Sequence, residues 1–489
     1  MVVHVNSPRD CPGPAPFDRH MFSRSTLAAS FFRLWGFIAN DKVLGSLFER
    51  YRGRCYQDQL TFPELCGVLI DAVTRSKGSG RKALAHARQR GQLSSNTRAF
   101  YGKLARLPLP LAEAFLSCLT AQLQPLFPRF LSRCCLPSCL SNFTVVVLDG
   151  KKIKEAAKRL LPTRNLAGKL FGGKILAAYL PQNGMVVTLT ADPDGEANDI
   201  RLLPRTLELT RKAVEGSRLW VVDAQFCDLD QSKRFCEDGD HFLARFSLRN
   251  SFTADSTRPA RQGINQQGMK FTEEWGWMGV ESDPRRVYLR RITLERPGEV
   301  SVAVVTDLLD EELYPATDLL QTYLARWQIE NVFQQITEVF GLQQLIGSAP
   351  NATVFQASLC CVIYNMLQVI RGYIGEGRKE SLDEISSENI FESLQEELIG
   401  LHRFVGKALV ALVVENQVET AEQMRECLRS ALGGLWEERW KKATNKKRRK
   451  PQEKAKQSGA HTSVHKVLTK AKLERQRRTS QSPSSCAQQ

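Results

Sequence analysis

Along the first 140 positions apolar residues recur at spacings of three and four. Residues 27–38 carry Phe31, Phe32, Leu34, Trp35 and Ile38 on this period, and 111–123 repeat it, so both predict helices. At Thr144 the pattern changes to a β-branched run, Thr144-Val145-Val146-Val147-Leu148, which ends in Asp149-Gly150. Residues 174–180 and 185–190 predict a hairpin around Asn183-Gly184, because two strands joined by Asn-Gly favour a tight turn. Residues 198–214 read as helical, and Leu219-Trp220-Val221-Val222 is a second β run closed by Asp223. Another strand is predicted over 242–248.

Strand, strand, strand, helix, strand is the opening order of a ribonuclease-H-like α/β core. The next sixty or so residues (250–305) alternate strand-like and turn-like pieces. They include Trp275, Trp277, the basic stretch 285–291 and the apolar 300–305, and predict a mainly β insertion, since a structureless loop of that length is uncommon. Residues 317–340 predict one long helix and 354–374 a second, largely apolar one. From 381 to 440 the chain is helical and more acidic, as in a packing or dimerisation bundle. The expected organisation is a helical DNA-binding region at 1–140, the first part of the core at 141–249, the β insertion at 250–306, the second part of the core at 307–375, helices at 376–440, and a basic disordered tail at 441–489.

Composition narrows the class. With 489 residues, 42% hydrophobic and 25% charged, the chain is too apolar to be mostly disordered and long enough for several structural units. No run approaches the roughly 18 apolar residues of a membrane span, and residues 1–11 lack a basic-then-apolar leader, so a soluble, cytoplasmic protein with no membrane partner is expected. Thirteen Cys occur without a CxxC pair, and no His lies near Cys134, Cys135 and Cys139; reduced, mostly buried thiols are expected rather than a disulfide frame or zinc module.

Charge is unevenly spread. Residues 441–478 hold 15 Lys and Arg against two acids, so they carry +13 of the net +16. Such a segment reads as a disordered polycation, either solubilising or in non-specific contact with nucleic acid. Residues 73–112 hold nine Lys and Arg and no acid. A helix over 81–90 stopped by Gly91, and a second capped by Ser94 or Ser95, resemble a helix-turn-helix, with Arg81, Arg88 and Arg98 as candidate DNA contacts.

Two acids, Asp149 and Asp223, each follow an apolar β run. Ligands bind outside the carboxyl ends of strands in α/β sheets, so both could face one crevice, although an isolated strand-end Asp is more often a turn former or helix cap. A third acid, Glu330, lies in Tyr323-Leu-Ala-Arg326-Trp327-Gln328-Ile329-Glu330. At 100° per residue Tyr323, Arg326 and Glu330 share an arc of about 60°, while Ile329, Val332, Phe333, Ile336 and Phe340 form a neighbouring apolar stripe. A surface Arg–Glu pair would share that spacing. Three converging carboxylates suit a pair of divalent ions that drive in-line attack on a phosphodiester, with Mg²⁺ preferred by an all-oxygen set and Mn²⁺ as substitute. Arg326 could then stabilise phosphate charge and Tyr323 hydrogen-bond to a phosphate.

The ordered set Asp149, Asp223, Glu330, with Tyr323, Arg326 and Glu330 in a Tyr-two-Arg-three-Glu signature, resembles the DDE transposases of the insertion sequence four family. Asp149-Gly150-Lys151 and Asp223-Ala224-Gln225-Phe226 resemble family motifs too. The signature's later Lys is absent, since that position is Thr337, which puts a contact with the element's end in doubt. The resemblance implies cut-and-paste transposition: nicking at terminal inverted repeats, hairpin formation and resolution, and strand transfer into target DNA. It also implies Mg²⁺, double-stranded DNA as partner, a homodimeric synaptic complex, a bacterial, nucleoid-associated location, and an aromatic stacked beside a flipped base, with Trp275 and Trp277 as candidates and Lys151 as a phosphate contact. A metal-dependent nuclease without strand transfer and an inactive DNA-binding relative remain as alternatives.

Overall fold

The computed structural model describes residues 14–480 apart from 58–59, 77, 90, 92, 129–135, 155, 297, 299, 343–347, 406–407 and 443–460. Arg90, Cys134, Cys135 and the basic run 446–450 lie outside the described residues. The chain opens on helices α1 (Pro16–Arg24), α2 (Thr26–Ile38), α3 (Asp41–Tyr51), α4 (Phe62–Thr74), α5 (Gly80–Gln89), α6 (Thr97–Arg106) and α7 (Leu109–Leu123). The two basic helices are α5 and α6. The cap of α6 is Asn96, not Ser94 or Ser95: its side chain accepts from the Ala99 amide at 2.8 Å, and the buried Ser95 is turned inward.

Strand β1 (Thr144–Lys152) alternates as its sequence requires. Val145 and Val147 face the core shared with α7 and the later helices, while Val146 and Leu148 face a second core. Both faces are covered, which explains why the run is continuously apolar. The strand runs three residues beyond Asp149, pairing antiparallel with β3 (Lys174–Leu180) as far as Lys152, so Asp149 lies inside the strand rather than at its end. A short β2 (Leu170–Phe171) precedes β3, and β4 (Met185–Asp192) completes the hairpin through Gly184, whose φ of 68° suits glycine.

Helix α8 (Leu203–Ala213) crosses to β5 (Arg218–Val222), which pairs parallel with β1, and α9 (Leu229–Phe235) leads to β6 (His241–Arg245), parallel with β5. Strands β7 (Phe252–Ala254), β8 (Arg261–Ile264), β9 (Lys270–Met278), β10 (Val287–Leu294) and β11 (Val302–Thr306) follow. They continue the same sheet, in the order β4-β3-β1-β5-β6-β11-β10-β9-β7 with β8 on β9, because β11 pairs antiparallel with β6. The basic stretch at 285–291 is largely neutralised there. Arg290, fully buried, bonds Glu273 at 2.8 Å, Arg291 bonds Glu274 at 2.7 Å, and Arg285 bonds Asp283 at 2.9 Å.

The long helix expected at 317–340 is helical but not uniform. It consists of α10 (Ala316–Leu324), a 3-10 turn at Ala325–Trp327, α11 (Gln328–Gln334) and a π turn at Gln335–Val339. Helix α12 (Pro350–Arg378) has the length and composition of a membrane span, but its most apolar window is wholly buried in protein. Within that helix the buried Asn365 accepts from the Val186 amide at 3.0 Å and donates to Thr120 at 2.9 Å, joining α12 to β4 and α7. Helices α13 (Ser387–Phe404), α14 (Ala408–Glu415) and α15 (Ala421–Leu432) share the core of α2 and α12.

Residues 462–480 depart from the reading of the tail as disordered. Thr462–Ser463 forms β12, which pairs with β2, and Val464–Ser480 forms α16. The described cysteines are free, with Cys55, Cys66, Cys227, Cys360 and Cys361 buried.

Candidate active site

Strand register places the first two acids together. Val147 pairs with Val221, and each acid stands two residues further on, so Asp149 and Asp223 reach the same level and face as those valines. That face carries the helix of Glu330. Ile329, Val332, Phe333 and Ile336 are buried in the same core as Val147 and Val221, and Tyr179 on β3 donates to Gln328 at 3.1 Å. The helix is thereby held across the carboxyl end of β1.

The electrostatics record the convergence. Burial pushes the Asp149 carboxyl up to about 6, against the pull of Arg326 and of the Gly150 amide bonded to it at 3.0 Å, with Glu330 and Asp223 adding repulsion. Arg326 is buried at 4% exposure and lies 3.7 Å from Glu330. Burial opposes its charge, but Tyr323, Asp223 and Asp149 more than offset this and hold it above the usual arginine value. One guanidinium therefore interacts with all three acids. The Tyr323 ring lies 5.8 Å from it and is itself 3% exposed, so burial raises the phenol. Tyr323 and Arg326 face inward, where they order the acids; the structure does not place them as surface phosphate contacts.

Asp223 follows β5 at the start of a 3-10 turn, yet its side chain does not cap that turn, and its buried Oδ1 has no hydrogen-bond partner. An orphaned carboxylate oxygen beside a carboxyl held up by burial is what a divalent cation would relieve, and an all-oxygen set matches Mg²⁺. Among the described residues, however, no three acidic, His or Cys side chains are grouped closely enough to hold an ion. The donor chemistry fits; Arg326 supplies the positive charge in this arrangement.

Glu330, its side chain 43% exposed, opens onto a cleft of about 970 Å³ with Asp149, Lys151, Arg296, Trp327, Asn331 and Thr337 on its walls. Lys151 stands with its ammonium 5.6 Å from the Phe333 ring; burial and Lys154 lower its pKa, against Asp149, Glu338 and Glu330. Thr337, in the π turn, spends its hydroxyl on the Phe333 carbonyl at 2.7 Å. Arg296 and Trp327, the latter 54% exposed, were not singled out from sequence. A large apolar ring on the same helix arc as Glu330 is the signal that marks Trp327.

The remaining candidates lie apart from the cleft's lining. Trp275 is 1% exposed, donates to the Leu309 carbonyl at 2.9 Å and is covered by Arg258 at 3.8 Å, which removes it as a stacking surface. Trp277 is partly exposed against Tyr288 and Arg286. Arg81, Arg88 and Arg98 are exposed on α5 and α6.

The cleft, both strand acids and the helix acid all fall within one stretch of the chain. Residues 141–366 match the transposase DDE domain. A Sinorhizobium fredii (strain NBRC 101917 / NGR234) protein described as "Putative transposase y4zB" is 21% identical over 207 residues, which is 38% of this chain. The chain spans about half (53%) of that relative's length. A solved piggyBac transposase synaptic complex with hairpin DNA superposes at a TM-score of 0.39 and 11% identity, over 86% of this chain and 87% of that one. A superposition that loose carries no argument.

Proposed function

We propose that this protein is a DDE transposase that cuts DNA at the ends of an element and joins them to a target. The observation that carries the reading is the convergence of Asp149, Asp223 and Glu330 on one buried guanidinium at the edge of an open cleft, inside a transposase DDE domain. The strand order β4-β3-β1-β5-β6, antiparallel then parallel, supports a ribonuclease-H-like core. Asp149, Asp223 and Glu330 would hold Mg²⁺, or Mn²⁺ in its place. When bound, the metal would supply an activated water or 3′-hydroxyl and stabilise the leaving oxygen of an in-line displacement.

The protein's own groups do the rest. Two strands fix Asp149 and Asp223 at one level, and the helix brings Glu330 over them. Arg326 keeps the acids ordered until DNA and metal enter, with Tyr323 holding its position. Lys151 and Arg296 on the cleft walls would bind backbone phosphates. Exposed Arg81, Arg88 and Arg98 would contact duplex DNA along α5 and α6. A homodimer synapsing two inverted repeats in a bacterial cytoplasm, at the nucleoid, completes the proposal. One observation favours an inactive relative: Thr337 offers the cleft no cation.

The discriminating experiment gives the purified protein a labelled duplex bearing the inverted repeats that flank its gene, plus target plasmid, with Mg²⁺ or EDTA. Metal-dependent end cleavage followed by joining supports the transposase. Cleavage that never yields joined product points to a nuclease, and binding without cleavage to an inactive relative.

A further inference from the structure

The described part of the tail, residues 461–480, is held in an unexpected place. Strand β12 pairs with β2 through Thr462–Leu170 and Ser463–Phe171, and the Gly195 amide donates to Ser463 at 3.3 Å. Val464, fully buried, packs with Ala156 and Leu170 in a small cluster of its own, bordered by Leu160, Leu166 and Leu468. Lys466 pairs with Asp194 at 3.8 Å and with Glu196. These contacts clip α16 onto the loop that leaves β1, and β1 carries Asp149 and Lys151.

Both clipped surfaces are strongly basic. Residues 151–169 hold seven Lys and Arg against one acid, and 464–480 hold six against one. Lys152, Lys154, Arg159 and Arg164 on the loop, and Lys470, Lys472, Arg475 and Arg477 on α16, are exposed. A groove of about 600 Å³ separates the two, with an apolar floor at Leu161, Pro162 and Val467 and basic residues of α16 along its rim. The loop contributes only apolar residues to the groove itself, but charges of one sign on two docked segments repel wherever they come within a Debye length of about 8–10 Å. Two ladder pairs and a small apolar cluster nevertheless hold them together, an arrangement that makes physical sense when a polyanion bridges them.

We propose that the 151–169 loop and α16 form one composite surface for the phosphate backbone of duplex DNA. The tail is docked so that DNA gripped there runs on past Lys151 towards the cleft. This rests on the transposase reading for its partner, and adds that the position of α16, not only its charge, is what binds.

The test uses the full-length protein and a labelled duplex of arbitrary sequence, with affinity followed by anisotropy across a salt titration. Lys154→Gln/Arg164→Gln in the loop and Lys470→Gln/Lys472→Gln in α16 should each weaken binding and flatten the log–log salt slope by about 2, near 0.9 per lost phosphate contact. Val464→Ser changes no charge but releases the clip, and should weaken binding about as much as the α16 pair does. Leu468→Ser provides a milder second release, and an unchanged unfolding midpoint of the main body confirms that only the clip is lost. Binding by both clip variants equal to wild type, with the α16 charge variants weakened, would overturn the proposal in favour of a free polycation. An unaffected loop variant would overturn it too. A wild-type protein that binds no duplex at all would instead defeat the transposase reading itself.

Discussion

Gly150 lies next to Asp149, and its backbone is not in the left-handed region, so space rather than conformation is why glycine stands there. A Cβ built on it falls 2.5 Å from Cγ and Oδ1 of Asp199 and 2.6 Å from Oδ2. Asp199 would have to retreat by about 1 Å to reach ordinary contact distance. It is not free to do so. Its side chain is 7% exposed and lies 2.7 Å from Lys174, itself 6% exposed and donating to the Ala197 carbonyl at 2.8 Å. The Asp199–Lys174 contact is an ion pair by distance, without hydrogen-bond alignment.

Gly150→Ala therefore either opens a buried ion pair or shifts β1 together with Asp149. Opening the pair leaves charges partly uncompensated, a loss of about 3 kcal/mol. Urea unfolding followed by tryptophan fluorescence should report that loss in the wild-type background. In an Asp199→Ala/Lys174→Met background the clashing atoms and both charges are gone, and Gly150→Ala should then cost under about 1 kcal/mol. An equal cost in both backgrounds, or a negligible one in the wild type, would refute the steric argument.

Glu397 accepts the Ala28 amide at 2.8 Å, and burial pushes its carboxyl up to about 7, from an ordinary value near 4.5. The folded state then holds a proton that the unfolded state releases, so stability should fall as pH rises from about 4.5 to 7, by about 3 kcal/mol; Glu397→Gln should flatten the pH dependence of the melting temperature. Trp275→Ala should destabilise by about 3–5 kcal/mol, whereas Trp277→Ala should cost far less and leave a normal melting temperature. Thr337→Lys breaks only a bond to its own helix, so it should cost under about 1 kcal/mol and tighten duplex binding by adding an ammonium to the cleft wall, measurable by anisotropy.

The strands around the acids were legible because burial on both faces forces continuous β-branched runs, and the acids mark where those runs end. The extension of β1 past Asp149 was not, since Gly150, Lys151 and Lys152 belong to a strand only through pairing with β3. Alternation along β9 sets Trp275 and Trp277 on one face, but only Trp275 is covered, by Leu309 and Arg258, distant in sequence. The docking of α16 was hidden by the same cause: a charge-dense segment reads as disordered until a three-residue clip, Thr462 to Val464, finds β2. The helix face of Tyr323, Arg326 and Glu330 was legible from spacing alone, though the 3-10 turn at Ala325–Trp327 and the inward burial of Arg326 were not. Exposure depends on the sheet beneath, which helical periodicity does not describe.

The most direct test of the central claim, that three acids form one site, is end cleavage by Asp149→Ala, Asp223→Ala and Glu330→Ala proteins, each measured beside its duplex affinity. The account predicts that every one of the three loses cleavage while binding DNA within a few-fold of wild type. Robust metal-dependent cleavage by any of them would contradict it.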